Sequence, residues 1–450
     1  MTTLKENKMG TMPIPKLLFS MALPMILSML VQALYNLVDS IFVAQINENA
    51  LSAVSLVFPI QNLMIALSSG TCVGINSLLS RRLGEKDYDN AYKVAHNGLL
   101  LAGLTYLIFA TISLTFADVF LRIQTDNQEI ITYAKQYMTV ICAMSFGLFF
   151  TMTLERLLQS TGLTHLSMIS QISGALFNLI FDPILIFGLL GFPKMGVMGA
   201  ALATVSGQIL GIFIALCLNI RYNKEIKFSR HFLRFDKEIV SQIYIVAVPS
   251  IIMMSIGSIM TFCFNKMLLA FTPTATAVFG VYFKLNSLFF MPVFGLNTAI
   301  IPIVAYNFGA KNPKRIKETH RLAAIVATGF MIVGIVTFQL IPRRLLQMFD
   351  ASQDMLSIGI LALRVISIGF LFAGYCIITS GAFQALGNGF YSLITSLTRQ
   401  LVLLVPIAFL LSSLWGLNAI WWSFPIAEGL TFLLTIALYK RLYRLKIENL

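Results

Sequence analysis

The chain has 450 residues, of which 57% are hydrophobic and only 11% are charged, and its mean hydropathy is +0.82. Soluble globular proteins carry roughly 25% charged residues, so this composition excludes a water-soluble protein. The net charge is +13, but the basic residues stand between long apolar runs and not on one wet face, which argues against a nucleic-acid partner. The composition favours a membrane protein built from α-helices, because a spanning helix needs about 20 mostly apolar residues.

Twelve apolar segments follow one another along the chain, separated by charges and by Gly or Pro breaks. Their approximate bounds are 16–45, 52–80, 92–117, 133–160, 165–190, 196–220, 239–270, 276–306, 320–342, 356–385, 390–412 and 416–439. Most of them are long enough to cross a bilayer with some tilt. Lys and Arg concentrate in alternate connections, and the bias of these residues toward the cytoplasm places both termini there. We therefore predict an all-α polytopic membrane protein with twelve transmembrane helices.

An internal repeat divides these segments into two sets of six. Identical residues recur at a constant spacing of 225 positions: Pro24 and Pro249, Ala50 and Ala275, Gly70 and Gly295, Gly84 and Gly309, Gln159 and Gln384, and Gly162 and Gly387. The predicted organisation is a six-helix lobe over 1–220, a basic cytoplasmic linker over 221–238 and a second six-helix lobe over 239–450. Parallel repeats of this kind build transporters in which the two halves rock about a substrate cavity.

Two carboxylates fall within predicted membrane segments of the first half. Asp39 is the only charge between Lys16 and Glu48, and Asp182 is the only one between Arg156 and Lys194. A charge at the bilayer centre costs roughly 2.5–3.5 kcal/mol on insertion scales, so each acid needs a partner or a function. A purely structural role in interhelical hydrogen bonding contributes only about 0.6 kcal/mol on average, which is too little to justify burying a carboxylate.

Other polar residues accompany both acids at helical spacing. Gln32, Tyr35, Asn36 and Asp39 share one face of the first helix, and Asn178 and Asp182 lie one turn apart on the fifth. Pro183 has no N–H, so it frees the carbonyl of Leu179 as a further oxygen ligand. Two neighbouring carboxylates cannot both stay ionised cheaply, so the pattern predicts a site for a small cation or a shared proton.

The remaining charges in the membrane segments carry weaker expectations. We expect Glu155 on the fourth segment to line a cavity and Arg156 to reach toward the cytoplasm. The second half holds four cations in its segments, for which structural ion pairing is expected, with Glu428 as the acidic partner of one of them: Lys266, Lys284, Arg364 and Arg399. The five cysteines show no CxxC spacing, so neither a disulfide framework nor a cysteine metal site is indicated.

Four stretches of the chain resemble the multidrug and toxic compound extrusion (MATE) transporters. They are Gln32-Ala-Leu-Tyr-Asn-Leu-Val-Asp39-Ser, Asn178-Leu-Ile-Phe-Asp182-Pro-Ile-Leu-Ile-Phe-Gly188, Gly199-Ala-Ala-Leu-Ala-Thr204 and Ala305-Tyr-Asn-Phe-Gly-Ala-Lys311. The resemblance implies two six-helix lobes that form a V in a bacterial cytoplasmic membrane. It also implies export of cationic or amphipathic drugs in exchange for Na⁺ or H⁺.

The resemblance further implies roles for individual residues. The first-lobe cation site would use Asp39, Asn178, Asp182 and Thr204, with the Ala200 carbonyl as an additional ligand, and Na⁺ would be held by Asp39 and Asp182. The neighbouring substrate cavity would be lined by Gln32, Tyr35, Asn36 and Glu155. Some family members use acids on the seventh and tenth helices, where this chain has Lys266 and Arg364, so no ion route is expected in the second lobe.

The sequence thus predicts a secondary active antiporter that acts as a monomer in membrane lipid and needs no cofactor beyond its coupling ion. A flippase for lipids or lipid-linked oligosaccharides of the same superfamily is the alternative. A membrane-embedded enzyme is not expected, because the sequence shows neither a catalytic set of nucleophile, base and orienting residue nor an HExxH motif.

Overall fold

The first half of the chain forms nine helices in this computed structural model, which describes residues 6–349, 351–448 and 450. The helices are α1 (Lys8–Thr11), α2 (Ile14–Ala44), α3 (Glu48–Gly84), α4 (Tyr88–Thr115), α5 (Ala117–Gln124), α6 (Gln128–Ala143), α7 (Phe146–Ser160), α8 (Thr164–Phe187) and α9 (Val197–Tyr222). A short 3₁₀ turn, Arg230–Phe232, lies in the connection that follows. Side-chain caps begin several of these helices; for example, Asn47 accepts from the backbone N–H of Ala50 at 2.7 Å.

The second half repeats this order. Its helices are α10 (Lys237–Leu269), α11 (Pro273–Gly309), α12 (Pro313–Leu340), α13 (Pro342–Gln347), α14 (Gln353–Ile368), α15 (Phe370–Ala385), α16 (Gly389–Leu397), α17 (Val405–Trp415), α18 (Leu417–Ile420) and α19 (Ser423–Leu442), with π-helical turns at Thr398–Leu404 and Tyr443–Ile447. The bounds of α3, α4 and α6 return in α11, α12 and α14 after a shift of 225 residues. The repeat in the sequence is therefore also a repeat of secondary structure.

Ten helical stretches of the described chain are long and apolar enough to cross a membrane, and two bent pairs bring the number of spans to as many as 12. The pairs are α6 with α7, bent by 42°, and α14 with α15, bent by 48°. At the first bend the Ala143 carbonyl accepts a hydrogen bond from the Tyr106 hydroxyl at 3.0 Å, which satisfies a group freed by the break. The predicted all-α polytopic fold is confirmed.

The chain divides into two compact units, and two helices are shared between them. Of the described residues, those within 1–7 and 27–247 form unit 1, and those within 8–26 and 248–450 form unit 2. The changes of unit fall within α2 and α10, each within three residues of the repeated prolines Pro24 and Pro249. This division differs from the predicted boundaries: the basic linker 221–238 belongs to unit 1, and the beginning of α2 belongs to unit 2. Charge marks a loop in the sequence, but the unit that a helix joins depends on which neighbours its faces meet.

Candidate cation site

The site in unit 1 is built on the close approach of α8 and α9. Gly188 ends α8 in the left-handed region at φ +74°, and the chain folds back so that Met195 N–H donates to the Leu185 carbonyl at 3.0 Å. Further along the pair, Gly174 faces Gly207, and a Cβ built on Gly207 would lie 2.7 Å from the Gly174 carbonyl oxygen. Only glycine permits this spacing, as is usual where membrane helices pack tightly.

Asn178 bridges the two helices one turn beyond this contact. With its amide nitrogen donating to Asp182 Oδ2 at 3.0 Å, its amide oxygen accepts from the Thr204 hydroxyl at 3.1 Å. Asn178 and Asp182 are buried, and Ala200, one turn before Thr204, is fully buried. The structure thus brings the predicted residues of the fifth and sixth spans together.

Asp39 of α2 joins this group. Its carboxyl group lies within hydrogen-bonding reach of the Asp182 carboxyl group. Oδ1 of Asp39 is buried, and no donor among the described amides, hydroxyls and cations reaches it. In the described part of the chain, no Lys, Arg or His forms an ion pair with either acid. Two carboxyl groups therefore face each other without a protein cation.

Two tyrosines complete the surroundings of the acid pair. Tyr35, one turn before Asp39, is close enough to both acids for direct electrostatic interaction. The same is true of Tyr137 on α6, whose hydroxyl accepts a hydrogen bond from Gln61 Nε2 at 3.1 Å. Tyr137 and Gln61 were not predicted, because neutral polar residues stand out less than charges in an apolar segment. The signal that could have found them is a neutral polar side chain inside each of the predicted apolar segments 133–160 and 52–80.

The residues predicted to line a substrate cavity stand on two helices, three on α2 and Glu155 on α7. Tyr35 borders the acid pair, whereas Gln32 and Asn36 on the same helix are exposed. Glu155 is buried on α7, where Gln171 Nε2 donates to its Oε2 at 2.8 Å. Gln171 and Asn178 are seven residues apart on α8, so this second acidic position is displaced by about 10 Å along the helix. Arg156 turns to Gln159, to which it donates at 2.9 Å.

Among the described residues of unit 2, the charges form no comparable site. Glu428 pairs with Arg399 at 3.6 Å, which confirms the predicted structural partner. Ion pairing was also expected for three other cations, but in the described part of the chain no acid pairs with them and their side chains are exposed: Lys266, Lys284 and Arg364. Their long aliphatic stems carry the charge to the surface, so the position of the Cα in an apolar segment does not fix where the charge lies.

The acid cluster of unit 1 offers oxygen ligands only: carboxylates, an amide, a hydroxyl and tyrosine hydroxyls. Among the described residues, no group of three or more His, Cys, Asp and Glu side chains could hold a metal ion. Oxygen donors suit hard cations, and a carboxyl pair can also share a proton. The fold and this site define a polytopic helical membrane protein of the repeated-unit transporter class.

Comparison with known proteins gives the family. The MatE family matches residues 24–184 and 249–410, so each match begins at one of the repeated prolines. The chain belongs to the MatE family.

Individual relatives agree over nearly the whole chain. The chain is 27% identical to the multidrug export protein MepA of Staphylococcus haemolyticus (strain JCSC1435), over 96% of this chain and 95% of that protein. It is 26% identical to MepA of Staphylococcus aureus (strain MSSA476), over 93% of this chain and 92% of the relative. A solved multidrug resistance MATE family transporter of the MOP superfamily, in an outward-facing conformation, superposes with a TM-score of 0.91 at 26% identity, covering 98% of each chain.

Proposed function

We propose that the protein is a secondary active antiporter that exports cationic or amphipathic compounds in exchange for Na⁺ or H⁺. Membership of the MatE family and the multidrug export function in the names of its relatives support drug efflux. The observation that carries the coupling proposal is the Asp39 and Asp182 pair, two carboxyl groups in contact without a protein cation. Na⁺ or a proton would relieve their repulsion.

In the proposed mechanism the ion and the drug favour different conformations of unit 1, so each weakens the binding of the other. A cation bound by Asp39, Asp182, Asn178 and Thr204 draws α2 toward α8 and α9, with the Ala200 carbonyl as an additional ligand. This movement changes the surface presented by Tyr35, Gln32 and Asn36 and so lowers drug affinity. By linkage, bound drug lowers ion affinity by the same factor, which is the thermodynamic requirement for exchange. Glu155 would attract the cationic end of a substrate.

The flippase alternative finds less support in this site. A carrier of lipid-linked pyrophosphate needs cations where the phosphates bind, whereas the acid pair and Glu155 make this region of unit 1 acidic.

We also propose that the protein works as a monomer in the bacterial cytoplasmic membrane with both termini cytoplasmic, and that it is not an enzyme.

Efflux from vesicles tests the proposal. The protein is reconstituted, a fluorescent organic cation is loaded, and export is followed under a Na⁺ gradient alone and then under a pH gradient alone. We expect one of the two gradients to drive export and Asp182→Asn to abolish it. Asp118→Asn, which removes an exposed acid of the same unit that pairs with Lys135 at 3.0 Å, is the matched control and should transport normally.

A second pair of variants separates the ion ligands from the fold. Thr204→Val removes the hydroxyl that Asn178 uses, whereas Thr204→Ser keeps it. We expect Thr204→Val to reduce coupled export by about tenfold or more, which is the effect of losing a hydrogen bond near a charged group. Thr204→Ser should retain coupled export. Export by Asp182→Asn at the wild-type rate under the gradient that drives the wild type would refute the assignment.

A further inference from the structure

An open cavity of about 1,040 Å³ runs along the surface of unit 2. None of the residues of the cation site lines it. One wall is the stripe of α12 from Lys317 to Ile332, and the other is the end of α19 with its π-helical turn. The floor contains His320, whose ring stacks on Tyr439 with centroids 4.1 Å apart and whose Nε2 lies 2.9 Å from the Thr379 hydroxyl. The floor is thus fixed by packed rings and a satisfied hydrogen bond.

The corresponding face of unit 1 is covered by the chain itself. Adding 225 to Tyr92 and His96 on α4 gives Lys317 and Arg321 on α12. Tyr92 contacts the ring of Phe232 edge to face at 5.5 Å, and His96 Nε2 accepts from the backbone N–H of Ser229 at 3.2 Å. The segment that follows α9 therefore seats aromatic side chains on this face. The repeat presents the same face of α12 as one wall of an open groove, with cations in place of Tyr92 and His96.

The charges of the groove are gathered at one end. Four cations line it, Lys317, Arg321, Lys440 and Arg444, against the single carboxylate of Glu448. Beyond Arg321 the wall of α12 becomes apolar apart from the Thr328 hydroxyl. From Arg321 to Ile332 there are eleven residues, or about 16 Å of helix. That length matches about 15 Å for half of the hydrocarbon core of a bilayer.

We propose that this groove binds a phospholipid with an anionic headgroup. The phosphate lies among the four cations, and one acyl chain follows α12 past Gly329. The four cations favour an anionic headgroup. The apolar stripe, which is as long as one leaflet, favours a ligand with an acyl chain over a soluble anion that has none. Basic pockets between membrane helices are known to favour anionic lipids. The lipid takes the place that the segment after α9 holds in unit 1, so it would seal the equivalent face of unit 2.

Three variants test the two ends of the groove separately. Lys317→Gln with Arg321→Gln removes half of the lining cations. Gly329→Leu fills the apolar end, and it should fold because a Cβ at Gly329 meets nothing within 4 Å. Arg343→Gln with Arg344→Gln is the matched control: it removes two exposed cations just beyond the other end of α12.

Binding is measured on the delipidated full chain in detergent by native mass spectrometry. Dioleoylphosphatidylglycerol, dioleoylphosphatidylcholine and sn-glycerol 3-phosphate are the probes. We expect one tightly retained phosphatidylglycerol on the wild type and on the control. We also expect at least tenfold weaker retention on Lys317→Gln/Arg321→Gln and on Gly329→Leu. Equal retention of phosphatidylcholine, equal binding of glycerol phosphate, or unchanged retention by both groove variants would overturn the proposal.

Discussion

The contact between Gly174 and Gly207 should control the cation site, although neither residue offers a ligand. In Gly207→Ala the new methyl group would lie 2.7 Å from the Gly174 carbonyl oxygen, whereas ordinary contact begins at 3.4 Å. The helices must therefore separate by about 0.7 Å, the difference between these distances. The same shift lengthens the 3.1 Å bond from Thr204 to Asn178 to about 3.8 Å, which is beyond hydrogen-bonding distance.

The loss is expected to weaken cation binding by about tenfold or more, since hydrogen bonds around charged groups contribute about 1.5–3 kcal/mol. Coupled export from vesicles is the assay, with the unfolding midpoint recorded alongside. Gly103→Ala on α4 is the control, because its Cβ would meet only Phe150 at 3.5 Å, an ordinary contact. Normal export by a folded Gly207→Ala protein would show that the spacing of α8 and α9 does not set the ligand geometry.

Two further predictions concern stability. Arg399→Gln leaves Glu428 buried without its cation and should lower the free energy of unfolding by about 3 kcal/mol, while adding Glu428→Gln should restore most of it; thermal unfolding in detergent measures both, and equal midpoints for single and double variants would contradict the pairing. Burial raises the pKa of Glu225 in the connection after α9 above its usual 4.5, even though Asn7 donates to both oxygens at 2.8 Å and so lowers that pKa. Because the folded state binds this proton more tightly, the stability that it contributes is present at low pH and is lost as the pH rises through the folded pKa. Glu225→Gln should therefore flatten the fall in unfolding midpoint as the pH rises above about 4.5, and an unchanged pH profile would exclude Glu225 as its source.

The sequence by itself determined which segments cross the membrane, because hydrophobicity over about 20 residues is a local property. It also determined the repeat, since Pro24 and Pro249 stand 225 positions apart whatever the packing. The acids of the site were likewise visible in the sequence. Asp39 and Asp182 are conspicuous because an ionised group in hydrocarbon is costly wherever the helix lies.

Only the tertiary structure decided which of these residues meet. Periodicity placed Gln32 and Asn36 on the same face as Asp39, but a face about 100° wide spans both the contact with α8 and an exposed edge. For the same reason the sequence did not show that Glu155 lies in a cluster of its own with Gln171, or that Tyr137 borders the acid pair. Which side chains converge depends on how closely neighbouring helices approach and at what rotation. In this protein that approach is set by small residues such as Gly174 and Gly207, whose role is visible only when both helices are in place.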